Sequence, residues 1–405
     1  MRELRVALYS HDTMGLGHVR RNLLIAHTLA DSRLQAAVLL IGGTRRATAF
    51  PVPARADFLT LPALRKNADG GYESRSLPQS LSSLIHLRSG VIHAALESFE
   101  PDVFVVDNVP RGAARELDAA LTGLRKRGRT RIVLGLRDIL DEPAAVEREW
   151  RRARNEEVIE RFYDAVWVYG DPAVYDPVRE YRFSAGTADK VRYAGYLDQH
   201  LRLRYSAARD APSLDDLGIG DGPLALCMVG GGQDGVALAE AFARADLPDG
   251  FRGLILTGPF MARESQARLR VLVDARPRMR IVEFVAEPAR ILAQAERVVT
   301  MGGYNSTCEA LSLEKPALIV PRVKPRTEQW IRAERLRALG LVDVLHPDRL
   351  SSEAIGAWLA SSVPSRAGIR DRIDMEGLTR LPLLVEEVLE GPVAAPQAEV
   401  RSVAV

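Results

Sequence analysis

Four short stretches carry residues able to hold an anion or move a proton. Residues 10–22 read SHDTMGLGHVRRN, where His18 follows Gly15 and Gly17 and precedes Arg20 and Arg21. Glycines let backbone N–H groups cradle a phosphate. A histidine titrating near neutrality can serve as a base. A helix cap that happens to contain histidine would read the same way.

Residues 301–321 read MGGYNSTCEALSLEKPALIVP. Gly302 and Gly303 turn the chain after an apolar run, and Asn305, Ser306 or Thr307 can cap the helix that follows. Unpaired N–H groups and the helix dipole there favour an anion such as a diphosphate. Glu309 lies one turn further on, placed to accept hydrogen bonds from hydroxyls such as those of a ribose. An ordinary strand, turn and well-capped helix would have the same letters.

Residues 228–240, MVGGGQDGVALAE, again turn on glycine after a strand, with Gly231, Gly232 and Gln233 at the turn. The spacing is neither GxGxxG nor GxxxxGK[ST], which argues against a dinucleotide fold and a P-loop. Residues 321–330, PRVKPRTEQW, place Glu328 and Gln329 in the first turn of a helix that Thr327 can cap. A carboxylate beside an amide can clamp sugar hydroxyls. Arg322, Lys324 and Arg326 can offset phosphate charge or belong to a solvated loop.

The elements that must position these residues alternate. Continuous apolar runs at 4–10, 36–42, 57–61, 102–107, 131–136, 164–170 and 190–195 read as strands. Helix-length segments at 17–31, 77–99, 110–127 and 143–162 separate them. The second half repeats the theme, with strands at 223–230, 252–258, 280–285, 297–303 and 316–321. Buried strands separated by helices indicate parallel sheets covered on both faces. The expected fold class is therefore α/β, with two doubly wound Rossmann-like domains facing a cleft. The boundaries read as 1–198, a linker at 199–222 rich in Ser, Asp, Gly and Pro, and 223–365. A C-terminal helix at 366–390 is expected to pack back on the first domain, with a disordered tail at 391–405. Residues 62–79, carrying Arg65, Lys66, Tyr72, Glu73 and Arg75, are polar and without period. Such loops serve as binding loops or lids.

With 405 residues, 47% of them hydrophobic, the chain exceeds what a single core usually spans. Its 55 bases against 53 acids give no electrostatic case for nucleic acid. Cys227 and Cys308 form no disulfide or metal framework, and no run of 18 uncharged apolar residues is present. A cytoplasmic protein without a transmembrane segment is expected, with peripheral membrane contact left open.

The order of these pieces resembles the donor-binding half of GT-B glycosyltransferases, most closely the MurG-like group. That group includes the peptidoglycan N-acetylglucosaminyltransferase and the plant galactolipid synthases. The likeness is clearest over about 225–340 and weaker but collinear before it, through Gly17–His18 and YAGY at 193–196. It departs where Gly232 stands in place of a serine, where Asp234 follows Gln233, and where Gly15 is offset. The resemblance implies that Gly303 to Thr307 bind a diphosphate and Glu309 the ribose. It further implies that Val285, just after Phe284, meets the base, that Glu328 and Gln329 hold the donor sugar, and that Gly231, Gly232 and Gln233 complete the donor site. Gly17, Phe284 and Gly302 are assigned to the same donor-binding set.

Such a reaction is expected to be inverting and to need no cofactor. No Asp-x-Asp triplet occurs, so no metal bridge is expected. The acceptor hydroxyl needs a base: His18 leads, with Asp107 second and Asp12 third or as an orienting partner. A UDP-sugar donor is favoured by resemblance, with a small-molecule or natural-product acceptor. A lipid-linked glycan acceptor and a sugar-nucleotide 2-epimerase of the same fold are the alternatives.

Overall fold

The computed structural model describes residues 3–11, 16–44, 50–66, 71–207, 213–364 and 366–391. Asp12 and Gly15 lie outside the described residues, as does nearly all of the expected tail.

The first half contains β1 (Arg5–Ser10), α1 (Gly17–Asp31), β2 (Ala37–Gly42), β3 (Ala56–Thr60), β4 (Leu64–Lys66), β5 (Tyr72–Ser74) and α2 (Leu81–Phe99). It continues through β6 (Val103–Asp107), α3 (Asp118–Arg127), β7 (Arg131–Arg137), α4 (Pro143–Ala153), α5 (Asn155–Phe162) and β8 (Ala165–Tyr169). Two short helices, α6 (Pro177–Glu180) and α7 (Ala185–Ala188), precede β9 (Val191–Tyr193). Seven of these strands form one sheet in the order β3-β2-β1-β6-β7-β8-β9, and every pairing in it is parallel. All of Val103–Asp107 and Ala165–Tyr169 is buried, as sheets covered on both faces require.

After α8 (Leu201–Ala207), the second half runs β10 (Leu224–Met228), α9 (Val236–Arg244), β11 (Arg252–Leu256), α10 (Arg263–Asp274), β12 (Met279–Val282) and α11 (Ala289–Gln294). Then come β13 (Ala295–Thr300), α12 (Tyr304–Ser312), β14 (Ala317–Ile319), α13 (Glu328–Ala338), β15 (Asp343–Val344), α14 (Ser352–Ala360) and α15 (Gly377–Glu390). Its strands form a second parallel sheet in the order β12-β11-β10-β13-β14-β15. The two doubly wound sheets expected from the alternation are both present.

Several local expectations are corrected. Residues 62–79 contain an antiparallel hairpin, pairing Leu64 with Ser74, and Arg65 salt-bridges Glu73 at 2.8 Å. The helix expected over 143–162 is two helices, broken where Arg154 adopts a left-handed φ of 54°. The helix expected from residue 110 begins only at Asp118. The terminal helix is confined to Gly377–Glu390, and its buried Leu378, Leu381, Leu384 and Val385 share a core with Leu23 and Ala26 of α1. Among the described residues no helix is long and apolar enough to cross a membrane.

Candidate functional site

The carboxyl ends of β1 and β13 each release a helix, α1 and α12, toward the space between the sheets. A cavity of about 360 Å³ lies there, within the range of small-ligand sites. From the first half it is walled by Leu16, Gly17, His18, Arg20, Arg21 and Arg137. Gly231, Gly232 and Gln233 line it from the glycine turn, and Phe284 and Val285 from the segment after β12. Gly303, Asn305, Ser306 and Glu309 face it from α12, and Glu328 and Gln329 from the start of α13. These sequence candidates, scattered over more than 300 positions, therefore share one wall-to-wall site.

Asp107, Gly302 and Thr307 do not line it. Gly302 shapes the turn beneath it: its φ is +77°, and a Cβ there would stand 2.5 Å from Ile319 Cγ2. Gly232 is equally constrained, since a Cβ would meet the Thr257 carbonyl oxygen at 2.2 Å. Thr307 is buried within α12. The expected side-chain cap is absent. Gly303 is the N-cap, no side chain caps the helix, and the Ser306 hydroxyl donates back to the Gly303 carbonyl at 3.0 Å. The first N–H groups of α12 are thus left without a side-chain acceptor, which suits an anion better than the expected cap would. Thr327 likewise provides no cap for α13; its N–H and hydroxyl both donate to Asp141 Oδ1.

His18 sits in the first turn of α1 and presents its ring to the cavity. Its Nδ1 lies 2.5 Å from Asp107 Oδ2, and Asp107 Oδ1 accepts from Arg21 Nη2 at 2.5 Å. Arg21 Nη2 also lies 3.1 Å from Nδ1, but the carboxylate is the closer partner and can only accept, which assigns Nδ1 as the donor and leaves Nε2, without a partner among the described residues, for a substrate. Burial alone would raise the Asp107 pKa. The Arg21 guanidinium and His18 outweigh it and hold the carboxyl well below its ordinary range. Asp107 is therefore a partner of His18 rather than an independent base facing the cleft.

Arg20 and Arg21, consecutive in α1, both turn inward, Arg20 half-buried at the cavity and Arg21 fully buried. Arg21 is 2% exposed and lies between the Tyr169 and Tyr304 rings, 5.9 and 5.7 Å from their centroids. Arg20 reaches across the cleft to Glu309 Oε1 at 2.6 Å and to Glu287 at 3.5 Å. The carboxylate expected to hold ribose hydroxyls therefore borders the cavity with one oxygen engaged by the opposite wall. Asn305 crosses the same gap, donating to the Gly17 carbonyl at 2.9 Å.

At the other end Arg322 is an organiser. It contacts Asp234 at 3.1 Å and Glu328 at 2.6 Å, and its backbone N–H donates to Gln329 Oε1 at 3.0 Å. Arg326 turns away to Glu149 and Asp141. Neither arginine is thus an uncommitted phosphate partner. Behind the site, Arg332 of α13 grips Asp138 through two bonds of 2.8 and 2.6 Å, and Tyr196 adds a third. Sequence reading missed Arg137, Asp138 and Arg332. Only the position of Arg137 and Asp138 just at and after a strand end hinted at them. Among the described residues no three His, Cys, Asp or Glu side chains gather where they could hold a metal.

No family model matches the chain, and no curated protein matches it. Solved structures do. The calicheamicin glycosyltransferase CalG4 is 18% identical, with a TM-score of 0.61 over 97% of this chain and 100% of its own. MurG of Acinetobacter baumannii is 14% identical, with a TM-score of 0.55 over 95% and 99%. A Listeria monocytogenes protein assigned as a UDP-N-acetylglucosamine 2-epimerase is 12% identical, with a TM-score of 0.64 over 96% and 97%. Two parallel sheets, a cleft between their carboxyl ends and these full-length matches make the fold of this chain the GT-B fold.

Proposed function

We propose that the chain is an inverting, metal-independent glycosyltransferase, moving a sugar from a nucleoside diphosphate sugar to a small-molecule or natural-product hydroxyl. One observation carries the reading: His18, oriented by Asp107, faces the uncapped start of α12 across a single cavity. The similarity of the fold to glycosyltransferases supports it.

In this mechanism the diphosphate rests on the N–H groups opening α12, where the helix dipole favours negative charge. Glu328 and Gln329 hold the donor sugar in line. His18 Nε2 takes the acceptor proton as the acceptor oxygen bonds to the anomeric carbon. The bond from that carbon to the diphosphate oxygen breaks, and its electron pair leaves with the nucleoside diphosphate, stabilised by α12. Asp107 stabilises the imidazolium formed. Attack opposite the leaving group inverts the anomeric centre. A uridine base is favoured over guanosine or thymidine.

The test is a thermal-shift screen of UDP-, GDP- and dTDP-sugars, followed by an assay of nucleoside diphosphate release with candidate acceptors. Bound ligand must raise the transition by mass action. Failure of every sugar nucleotide to do so at millimolar concentration overturns the reading. The fold match to an assigned 2-epimerase favours a second reading, a sugar-nucleotide 2-epimerase. Incubation with the sugar nucleotide alone separates the two: an epimerase yields epimer without nucleoside diphosphate.

A further inference from the structure

We infer that Arg137 receives a carboxylate carried by one of the two substrates, either on the transferred sugar or on the acceptor. The inference rests on the transferase reading and adds a chemical class to it.

Arg137 ends β7 and enters the cavity wall beside His18, Arg21 and Glu328. The other arginines of that wall are committed: Arg20 to Glu309, Arg21 to Asp107, and Arg322 to Asp234 and Glu328. Arg137 makes no side-chain hydrogen bond or ion pair among the described residues, and its Nε is buried without an acceptor. Burial, together with the positive charges of Arg21 and Arg332, pushes its pKa below the ordinary arginine value; Glu328 and Asp138 act the other way. A guanidinium does not discharge to escape such a setting. A charge left this way is costly to the empty protein, and an arriving anion removes the cost.

The number of free charges selects the anion. One uncommitted guanidinium matches one negative charge, and its planar fork matches a carboxylate through two parallel bonds. A phosphate dianion would call for a second free cation. The diphosphate also has its own proposed seat on the opposite wall, at α12.

Calorimetric titration of UDP, UDP-glucose and UDP-glucuronate into wild type, Arg137→Met and Arg137→Lys tests the sugar arm. Methyl β-glucuronide and methyl β-glucoside, titrated into the UDP-loaded proteins, test the acceptor arm. In one of the two arms wild type is expected to prefer the carboxylate probe at least tenfold. The preference disappears in Arg137→Met, shrinks in Arg137→Lys, and leaves UDP affinity within threefold. The arm that shows it identifies the substrate bearing the carboxylate. The variant also removes a half-buried charge that makes no ion pair among the described residues, so ligand-free Arg137→Met melts at or above wild type. Equal binding of both members of each probe pair by wild type overturns the inference. So does a tenfold loss of UDP affinity in Arg137→Met, which would make Arg137 a diphosphate ligand. Failure of wild type to bind UDP at all instead overturns the transferase reading beneath it.

Discussion

Asp107 does two things at once: it takes the His18 Nδ1 hydrogen bond on one oxygen and neutralises Arg21 on the other. Substituting each partner separates the effects. Under the proposed mechanism His18→Ala lowers turnover by about 10²–10⁴-fold with nearly unchanged donor binding, read from kcat against the calorimetric Kd. Asp107→Asn leaves Arg21 buried without its counter-ion and costs about 3–5 kcal/mol in urea unfolding. The folded Asp107 carboxyl titrates below its unfolded value, so its stabilisation is fully present above about pH 4 and fades as pH falls through the depressed folded value. The stability gap between wild type and Asp107→Asn therefore closes only on the acid side, which unfolding series at stepped pH measure. Sequence pattern reaches His18 and Asp107 one at a time, because each ends or follows an apolar strand. Their pairing, 89 positions apart, is a product of β1 lying beside β6. Consecutive arginines in a helix give no sign in the letters of turning inward, yet Arg20 and Arg21 are both drawn in by acids from distant segments.

At the scale of elements, strand ends do most of the positioning. β7 delivers Arg137 to the cavity and Asp138 to the interior, and α13 answers with Arg332. Arg332→Met strands a buried Asp138 and is expected to cost about 3–5 kcal/mol, whereas the double variant with Asp138→Leu recovers most of it. Urea midpoints of the two single variants and the double variant check this; additive losses would contradict it. The sheets were legible because their strands are continuous apolar runs of the right length. The β4–β5 hairpin was not, since three-residue strands in a polar stretch carry no period. Nor was the break between α4 and α5, because an arginine at left-handed φ leaves no mark in the letters.

Across the whole molecule, Arg20–Glu309 and Asn305–Gly17 span the cleft beside the proposed diphosphate and ribose positions. Under that proposal donor entry competes with a contact between the halves. If Glu309 serves the ribose, Arg20→Ala releases its carboxylate and tightens UDP binding, while Glu309→Ala weakens it by about tenfold, in line with a charged hydrogen bond worth roughly 1.5 kcal/mol. Calorimetry on the pair decides: parallel changes would remove Glu309 from the ribose site. The cleft as a whole was legible from two repeated α/β halves. The bonds that cross it were not, since they join residues nearly 290 positions apart that share no local pattern.

The packing of α15 against α1 also sets a timetable for synthesis. The last strand of the first sheet ends at Tyr193, but the helix that covers α1 begins only at Gly377. At roughly 5–20 residues per second the ribosome takes on the order of 10–40 s to bridge that gap. Throughout it α1 of the nascent first half lacks the cover that α15 gives it in the finished fold, and its final closure waits for nearly the last segment to emerge.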